Sequence, residues 1–158
     1  MKHWLWKNRI SCVTADLLLK ADLQIDIQQT GLPDESFDMI FCNHVLEHVE
    51  DFRAALRELY RILRPGGYLI CSFPIDPNID LVEEGPPDMP PKEHLRRFGQ
   101  ADHNRVFGPN AGELLSAAGF TVEPIRGEDC PESIFPVIGP ADYDINLLFC
   151  CQKPKEAP

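Results

Sequence analysis

Positive charge is scarce in this chain of 158 residues. Its Lys and Arg number 15 against 25 Asp and Glu, for a formal net charge of −10 and a pI near 4.8. That balance argues against a nucleic-acid backbone or an anionic membrane as the main partner. The basic cluster Lys92, His94, Arg96 and Arg97 reads as one solvated helix face. Long apolar runs are missing too, so no segment reads as a membrane span. Residues Met1 to Lys7 lack the hydrophobic region and small-residue cleavage site of a signal peptide, and a cytoplasmic location is expected. No Cys-x-x-Cys pair occurs among the six cysteines, Cys12, Cys42, Cys71, Cys130, Cys150 and Cys151. Most lie in apolar, strand-like runs, which points to buried reduced thiols rather than disulfides or zinc ligands. Ser36 and Ser72 have no convincing base partner, so a hydrolase triad is unsupported. No internal repeat is visible, and the length predicts a single domain over residues 1–158.

What is present is organised around Leu32 to Pro74, which reads as a βαβ unit. A turn, Leu32-Pro33-Asp34-Glu35-Ser36, precedes the apolar run Phe37 to Cys42. Near-continuous hydrophobicity predicts a strand covered on both faces, as in a parallel sheet. Phe52, Ala55, Leu56, Leu59 and Leu63 then recur at helical spacing. Glu50 and Asp51 at the start and Arg61 and Arg64 at the end match the helix dipole. Pro65-Gly66-Gly67 is expected to stop that helix before a second strand, Tyr68 to Phe73.

Residues 1–10 read as the tail of a helix or an improvised start. Two short strands follow, Ser11 to Ala15 and Leu23 to Ile25, delivering Asp16 and Asp26 at their carboxyl ends, where open α/β sheets bind ligands. Pro74 to Pro91 holds six prolines and reads as a loop or lid without regular structure. A short helix is expected over Lys92 to Phe98, a polar loop from Phe98 to Gly108 and a helix over Pro109 to Ala118 with Gly119 as its stop. Phe120 starts another strand, residues 124–144 are irregular and Ile145 to Cys151 is the last strand.

Four groups of residues carry candidate chemistry. His44-Val45-Leu46-Glu47-His48 resembles an inverted zinc-hydrolase pattern, but His44 sits at a strand end and no third ligand is evident, so no metal is expected. Asp16 could accept ribose hydroxyls or simply form a turn. Asp26 could accept from an exocyclic amine or likewise be a turn residue. Asp102-His103 with Arg105 reads as a polar loop in which His103 could serve as a base.

Taken together, these segments resemble the class I S-adenosylmethionine-dependent methyltransferases of the small-molecule methyltransferase group. The resemblance is carried by Leu32 to Asp38, Asn43 to Val49, Leu56 to Gly67 and Ala117-Ala118-Gly119-Phe120, and covers roughly residues 11 to 125. It implies an α/β, Rossmann-like sheet, mostly parallel with an antiparallel C-terminal strand. It also implies S-adenosylmethionine as cofactor and a small-molecule acceptor. By the same resemblance, Asp16 with Leu17 binds the ribose, Asp26 with Ile27 meets the adenine, and Asn43 and His44 line the pocket near the transferred methyl. The loop with His103 and Arg105 faces the acceptor, which makes His44 and His103 the catalytic candidates. The chain departs from the family in one respect. The first strand and its glycine-type loop should precede Ser11, where only ten residues stand, none a glycine. An N-terminally truncated domain is therefore expected, its sheet showing a gap or a rearrangement. A non-catalytic remnant that self-associates through unpaired strand edges is the alternative.

Overall fold

The computed structural model describes residues 7–126 and 147–155. The expectations for residues 1–6, for Cys130 and for most of the irregular stretch 124–144 lie outside the described residues. In chain order the elements are β1 (Ala15–Asp16), β2 (Leu23–Gln24), β3 (Phe37–Asn43), α1 (Phe52–Ile62), β4 (Leu63–Ser72) and β5 (Val82–Glu84). They continue with α2 (Pro91–Phe98), β6 (Arg105–Phe107), α3 (Gly112–Ala117), β7 (Thr121–Arg126) and β8 (Leu147–Gln152).

The main sheet has the order β3-β4-β8-β7. β3 and β4 pair parallel, while β8 is antiparallel to both β4 and β7. Three strands therefore share one direction and the C-terminal strand alone opposes them. This is the α/β, Rossmann-like arrangement that the resemblance implied. A gap also appears: β1 and β2 form a separate two-stranded parallel sheet, and among the described residues no strand pairs with the outer edge of β3. β1 and β2 are two residues long, shorter than their apolar runs predicted. A strand lengthens only as far as a ladder satisfies its backbone groups.

That gap corrects the reading of β3 as covered on both faces. Ile40 and Cys42 turn toward the core, but Met39 and Phe41, two residues apart on the other face, are 49% and 44% exposed. Helices α1 and α3 bury apolar residues in the one core cluster, which includes Leu56, Leu59, Leu69, Cys71, Leu115, Phe149 and Cys151.

The helix α1 begins where Asp51 caps it, its carboxylate accepting from the N–H groups of Arg53 and Ala54 at 2.9 Å each. It ends one residue early: Leu63, expected on the helix face, is the first residue of β4 and fully buried. Pro65-Gly66-Gly67 thus lies inside β4 as a bulge, since Leu63 partners Phe37 and Tyr68 partners Met39. Gly67 is required there because a Cβ would come within 2.9 Å of the Arg64 carbonyl oxygen and 3.0 Å of that of Asp38. Glu58, also on α1, accepts from Thr30 N, Thr30 Oγ1 and Arg61 Nη2 at 2.8, 2.6 and 2.7 Å. The Arg61 guanidinium and the Thr30 donors hold its carboxyl down at about 2 and tie the segment after β2 to the helix.

The proline-rich stretch holds more order than its composition suggested. Between Pro77 and Pro86 runs β5, antiparallel to β6, itself inside the expected loop. The prolines flank the ladder and so take no N–H from it. Gly108 closes the unit: a Cβ there would lie 2.2 Å from the carbonyl oxygens of both Ile79 and Asp80. The basic face of α2 is not simply solvated. His94 is buried with Nδ1 2.6 Å from the His103 carbonyl oxygen, Arg96 pairs with Glu93, and Arg97 pairs with Glu83. Cys42, Cys71 and Cys151 are buried and unpaired, and burial pushes the Cys42 thiol up to about 12, so it stays protonated and inert.

Candidate functional site

Polar groups gather where the parallel pair β3 and β4 ends. The Ser72 hydroxyl donates to Asn43 Oδ1 at 3.2 Å, and the N–H of His44 donates to the Ser72 carbonyl at 2.8 Å. His44 leaves the strand with φ of 53°, in the left-handed region that costs a residue with a Cβ about 1 kcal/mol or more. Its half-exposed imidazole stands with Nδ1 3.3 Å from Glu47 Oε1.

Glu47 is fully buried, yet neither carboxylate oxygen accepts a hydrogen bond. His44 is within ion-pair reach of Oε1 but not aligned to donate to it. Burial pushes the Glu47 carboxyl up to about 7. Beside it, His48 places Nδ1 3.2 Å from both the carbonyl oxygen and Oδ2 of Asp102. The His103 ring meets that of His48 edge-on, with centroids 4.7 Å apart. His103 is 3% exposed, its Nδ1 lies 3.0 Å from the Phe98 carbonyl oxygen, and burial lowers its pKa below the usual imidazole value.

The loop carrying these groups, residues 44–51, has little secondary structure of its own and is held from outside. Arg105, 2% exposed, donates through Nη1 to the carbonyls of Leu46 and Val49 at 2.7 and 2.5 Å. Its Nη2 donates to the Glu50 carbonyl at 2.8 Å and its Nε to Glu84 Oε1 at 3.0 Å. Asn104 adds a bond from Nδ2 to the His48 carbonyl at 2.6 Å and one from its backbone N–H to the Glu47 carbonyl at 2.8 Å. Arg105 was expected to face an acceptor; it is instead a positioning residue with its guanidinium fully engaged.

The two strand-end aspartates take up the turn roles weighed for them. Asp16 Oδ1 accepts from the N–H groups of Leu18 and Leu19 at 2.8 and 2.7 Å, which lowers its pKa, while Leu17 is 54% exposed. Asp26 Oδ1 accepts from Gln28 N at 2.8 Å, and both its oxygens receive the Gln28 side-chain amide at 3.1 Å. Ile27 packs half-buried against the core. Gln28 Oε1 in turn accepts from Asp51 N at 2.6 Å, so the Asp26 turn is joined to the loop of His44. Asp16 shares no such link. The sequence showed Glu47 only as the middle of a histidine pair. Nothing in it signalled that a loop 55 residues later brings His103 to Glu47 and His48, because such proximity is made by long-range contacts, among them the bonds of Asn104 and Arg105 to the 46–50 backbone.

Comparisons with known proteins agree with this architecture. The model of a family described as methyltransferase domain matches residues 7–71. The malonyl-[acyl-carrier protein] O-methyltransferase of Yersinia pestis is 32% identical over 78 residues, 49% of this chain and 29% of that protein. The demethylmenaquinone methyltransferase of Listeria welshimeri is 47% identical over 47 residues, 30% of this chain and 20% of that protein. The chain thus spans less than a third of the length of either relative. Among solved structures, the 1,6-didemethyltoxoflavin-N1-methyltransferase of Burkholderia thailandensis superposes with a TM-score of 0.65 at 17% identity, over 97% of this chain and 65% of that one. A SAM-dependent methyltransferase from Archaeoglobus fulgidus gives a TM-score of 0.65 at 14% identity, over 96% and 80%. Residues 7–71 therefore match the methyltransferase-domain family, and the chain carries the fold of the class I S-adenosylmethionine-dependent methyltransferases.

Proposed function

We propose that the functional form of this chain transfers a methyl group from S-adenosylmethionine to a small-molecule acceptor. The observation that carries the reading is the polar corner at the carboxyl ends of β3 and β4, where Asn43, Ser72 and the left-handed His44 meet. The printed names of the similar proteins from Yersinia and Listeria, methyltransferases of a carrier-borne malonyl group and of demethylmenaquinone, support it. The donor set fits the nucleoside part of the cofactor. The turn bonds of Asp16 fall on Oδ1, which leaves Oδ2 for a ribose hydroxyl beside Leu17. Asp26 and Ile27 offer an acceptor and an apolar surface for the adenine, and Asn43 and His44 border the methionine end. When bound, S-adenosylmethionine supplies a methyl group on a sulfonium, whose transfer draws on positioning and electrostatics rather than on a covalent enzyme intermediate. Of the two candidate bases, the half-exposed His44 is the better placed to take a proton from an acceptor, because His103 is buried.

Calorimetric titration with S-adenosylhomocysteine is expected to give one site, with Asp16→Asn weakening it roughly tenfold through loss of a charge-assisted hydrogen bond. Binding only by an N-terminally extended form would assign this chain to the inactive class. Binding by neither would sink the reading.

The exposed face of β3 favours a second reading, that of a methyltransferase-like interaction module. Met39, Phe41 and Tyr68 (37% exposed) form adjoining apolar positions beside a strand edge that is unpaired among the described residues. Light scattering is expected to show concentration-dependent self-association that Phe41→Lys suppresses. A clean monomer up to the solubility limit would count against it.

A further inference from the structure

The geometry points to a binding site for a zinc-class divalent transition-metal ion, formed by Glu47, His48 and His103. One donor atom from each of the three lies within 4.8 Å of the other two. Tetrahedral donors around zinc stand about 3.4 Å apart, so the three need to close by little more than an ångström. The assignment goes beyond the methyl-transfer reading and does not rest on it.

Three independent features of the cluster select a metal over a plain polar core. The first is Glu47, whose side chain is 1% exposed and whose two oxygens accept no hydrogen bond. A buried carboxylate is normally paired, hydrogen-bonded or coordinated to a metal; here no hydrogen bond is made, and the ion pair is to the half-exposed His44 imidazole at 3.3 Å. The second is the tautomer of each imidazole. Carbonyl oxygens only accept, so the Phe98 carbonyl requires the proton of His103 on Nδ1, and the Asp102 carbonyl requires that of His48 on Nδ1. Both rings are therefore left with a bare Nε2 lone pair, free to bind a metal. Metal-ligating histidines are held in this way, by donating the far ring N–H to a carbonyl or carboxylate, and Asp102 Oδ2 at 3.2 Å completes that shell for His48. The third is support: Arg105 and Asn104 fix the backbone of residues 46–50 through five carbonyls, so the donors sit on a braced loop.

Two imidazoles and a carboxylate are the donor set of zinc and related first-row ions. Magnesium and calcium prefer oxygen ligands and are not matched. Three protein ligands leave a fourth position open, as catalytic zinc sites do. His44, with Nδ1 3.3 Å from Glu47 Oε1, is a further donor beside the cluster. The pair first suggested by the sequence, His44 with His48, is thus replaced by an adjacent Glu-His pair and a distant histidine.

The test is metal binding by the full chain, without cofactor or acceptor. After incubation with excess Zn2+ and desalting, atomic emission is expected to find one equivalent of zinc per chain, and Co2+ to give the visible d–d bands of a low-symmetry site. His48→Ala, which alters a half-exposed residue, and Glu47→Gln are each expected to weaken binding by more than about 100-fold. Asp102→Ala, which leaves the backbone carbonyl in place, is expected to cost about tenfold. Absence of stoichiometric zinc from the folded chain overturns the assignment, and so does zinc binding that survives both His48→Ala and Glu47→Gln unchanged.

Discussion

Replacing Arg105 by alanine is expected to cost about 3–5 kcal/mol of stability, a large part of what a domain of this size has. The guanidinium is almost completely buried and donates to three backbone carbonyls and to Glu84. It also stands 5.0 Å from the centre of the Phe52 ring. Alanine removes the donors but leaves the carbonyls of Leu46, Val49 and Glu50 behind, each without its partner at a cost of about 1–3 kcal/mol unless water enters. Urea denaturation of the variant measures the loss. Lysine is expected to recover only a minor part, since one ammonium cannot reproduce a planar fork reaching several acceptors at once. A loss below about 1 kcal/mol would show that the 44–51 loop is held by something else. The same variant should loosen the loop that carries Glu47 and His48, so its effect ought to appear in Zn2+ affinity as well as in stability.

Phe73→Ala is expected to cost a comparable 3–5 kcal/mol, for a different reason. The ring is 1% exposed and lies between Phe107, with centroids 4.0 Å apart, and Phe149, at 5.3 Å. It therefore joins the end of β4 to β6 and to β8, three segments distant in sequence. Truncation leaves a cavity lined by aromatic rings, and Leu at the same position should cost about 1.5 kcal/mol or less because it refills most of the volume. Thermal and urea melts of the two variants distinguish a packing defect from general disruption: a Leu variant as unstable as the Ala variant would refute the packing account. Phe107 lies two residues from Arg105 on β6, so the Phe73→Ala and Arg105→Ala losses should not add.

The elements visible in the sequence were those whose signal is local. Helix α1 shows its stripe of Phe52, Ala55, Leu56 and Leu59, and Asp51 shows the cap. The β3 and β4 runs show their hydrophobicity. Boundaries failed where two local signals competed: Leu63 continues the helical spacing, but pairing with Phe37 draws it into the strand. β5 and β6 were invisible for the opposite reason. Each is three residues long, too short for any periodicity, and each exists because the other supplies its hydrogen-bond partners.

The site divides along the same line. Asp16, Asp26, Asn43 and His44 were legible because the carboxyl end of a strand is a position that sequence can locate. Their turn bonds were equally predictable, being made within three residues. Glu47 and His103 were not legible as a pair, nor was the structural use of Arg105, because burial and long-range contact have no signature in a single polar residue.

By itself the sequence determined the βαβ half of an α/β domain and the acidic charge balance. Both follow from composition, spacing and order, which the chain carries wherever it folds. Tertiary structure alone decided that β3, among the described residues, keeps one apolar face and one edge open, that Arg105 is a brace, and that Glu47, His48 and His103 converge. The physical reason is that ladder pairing and burial are properties of two segments at once. When Asn104 and Arg105 dock onto the backbone of residues 46–50, a loop histidine becomes the neighbour of a carboxylate that no hydrogen bond satisfies.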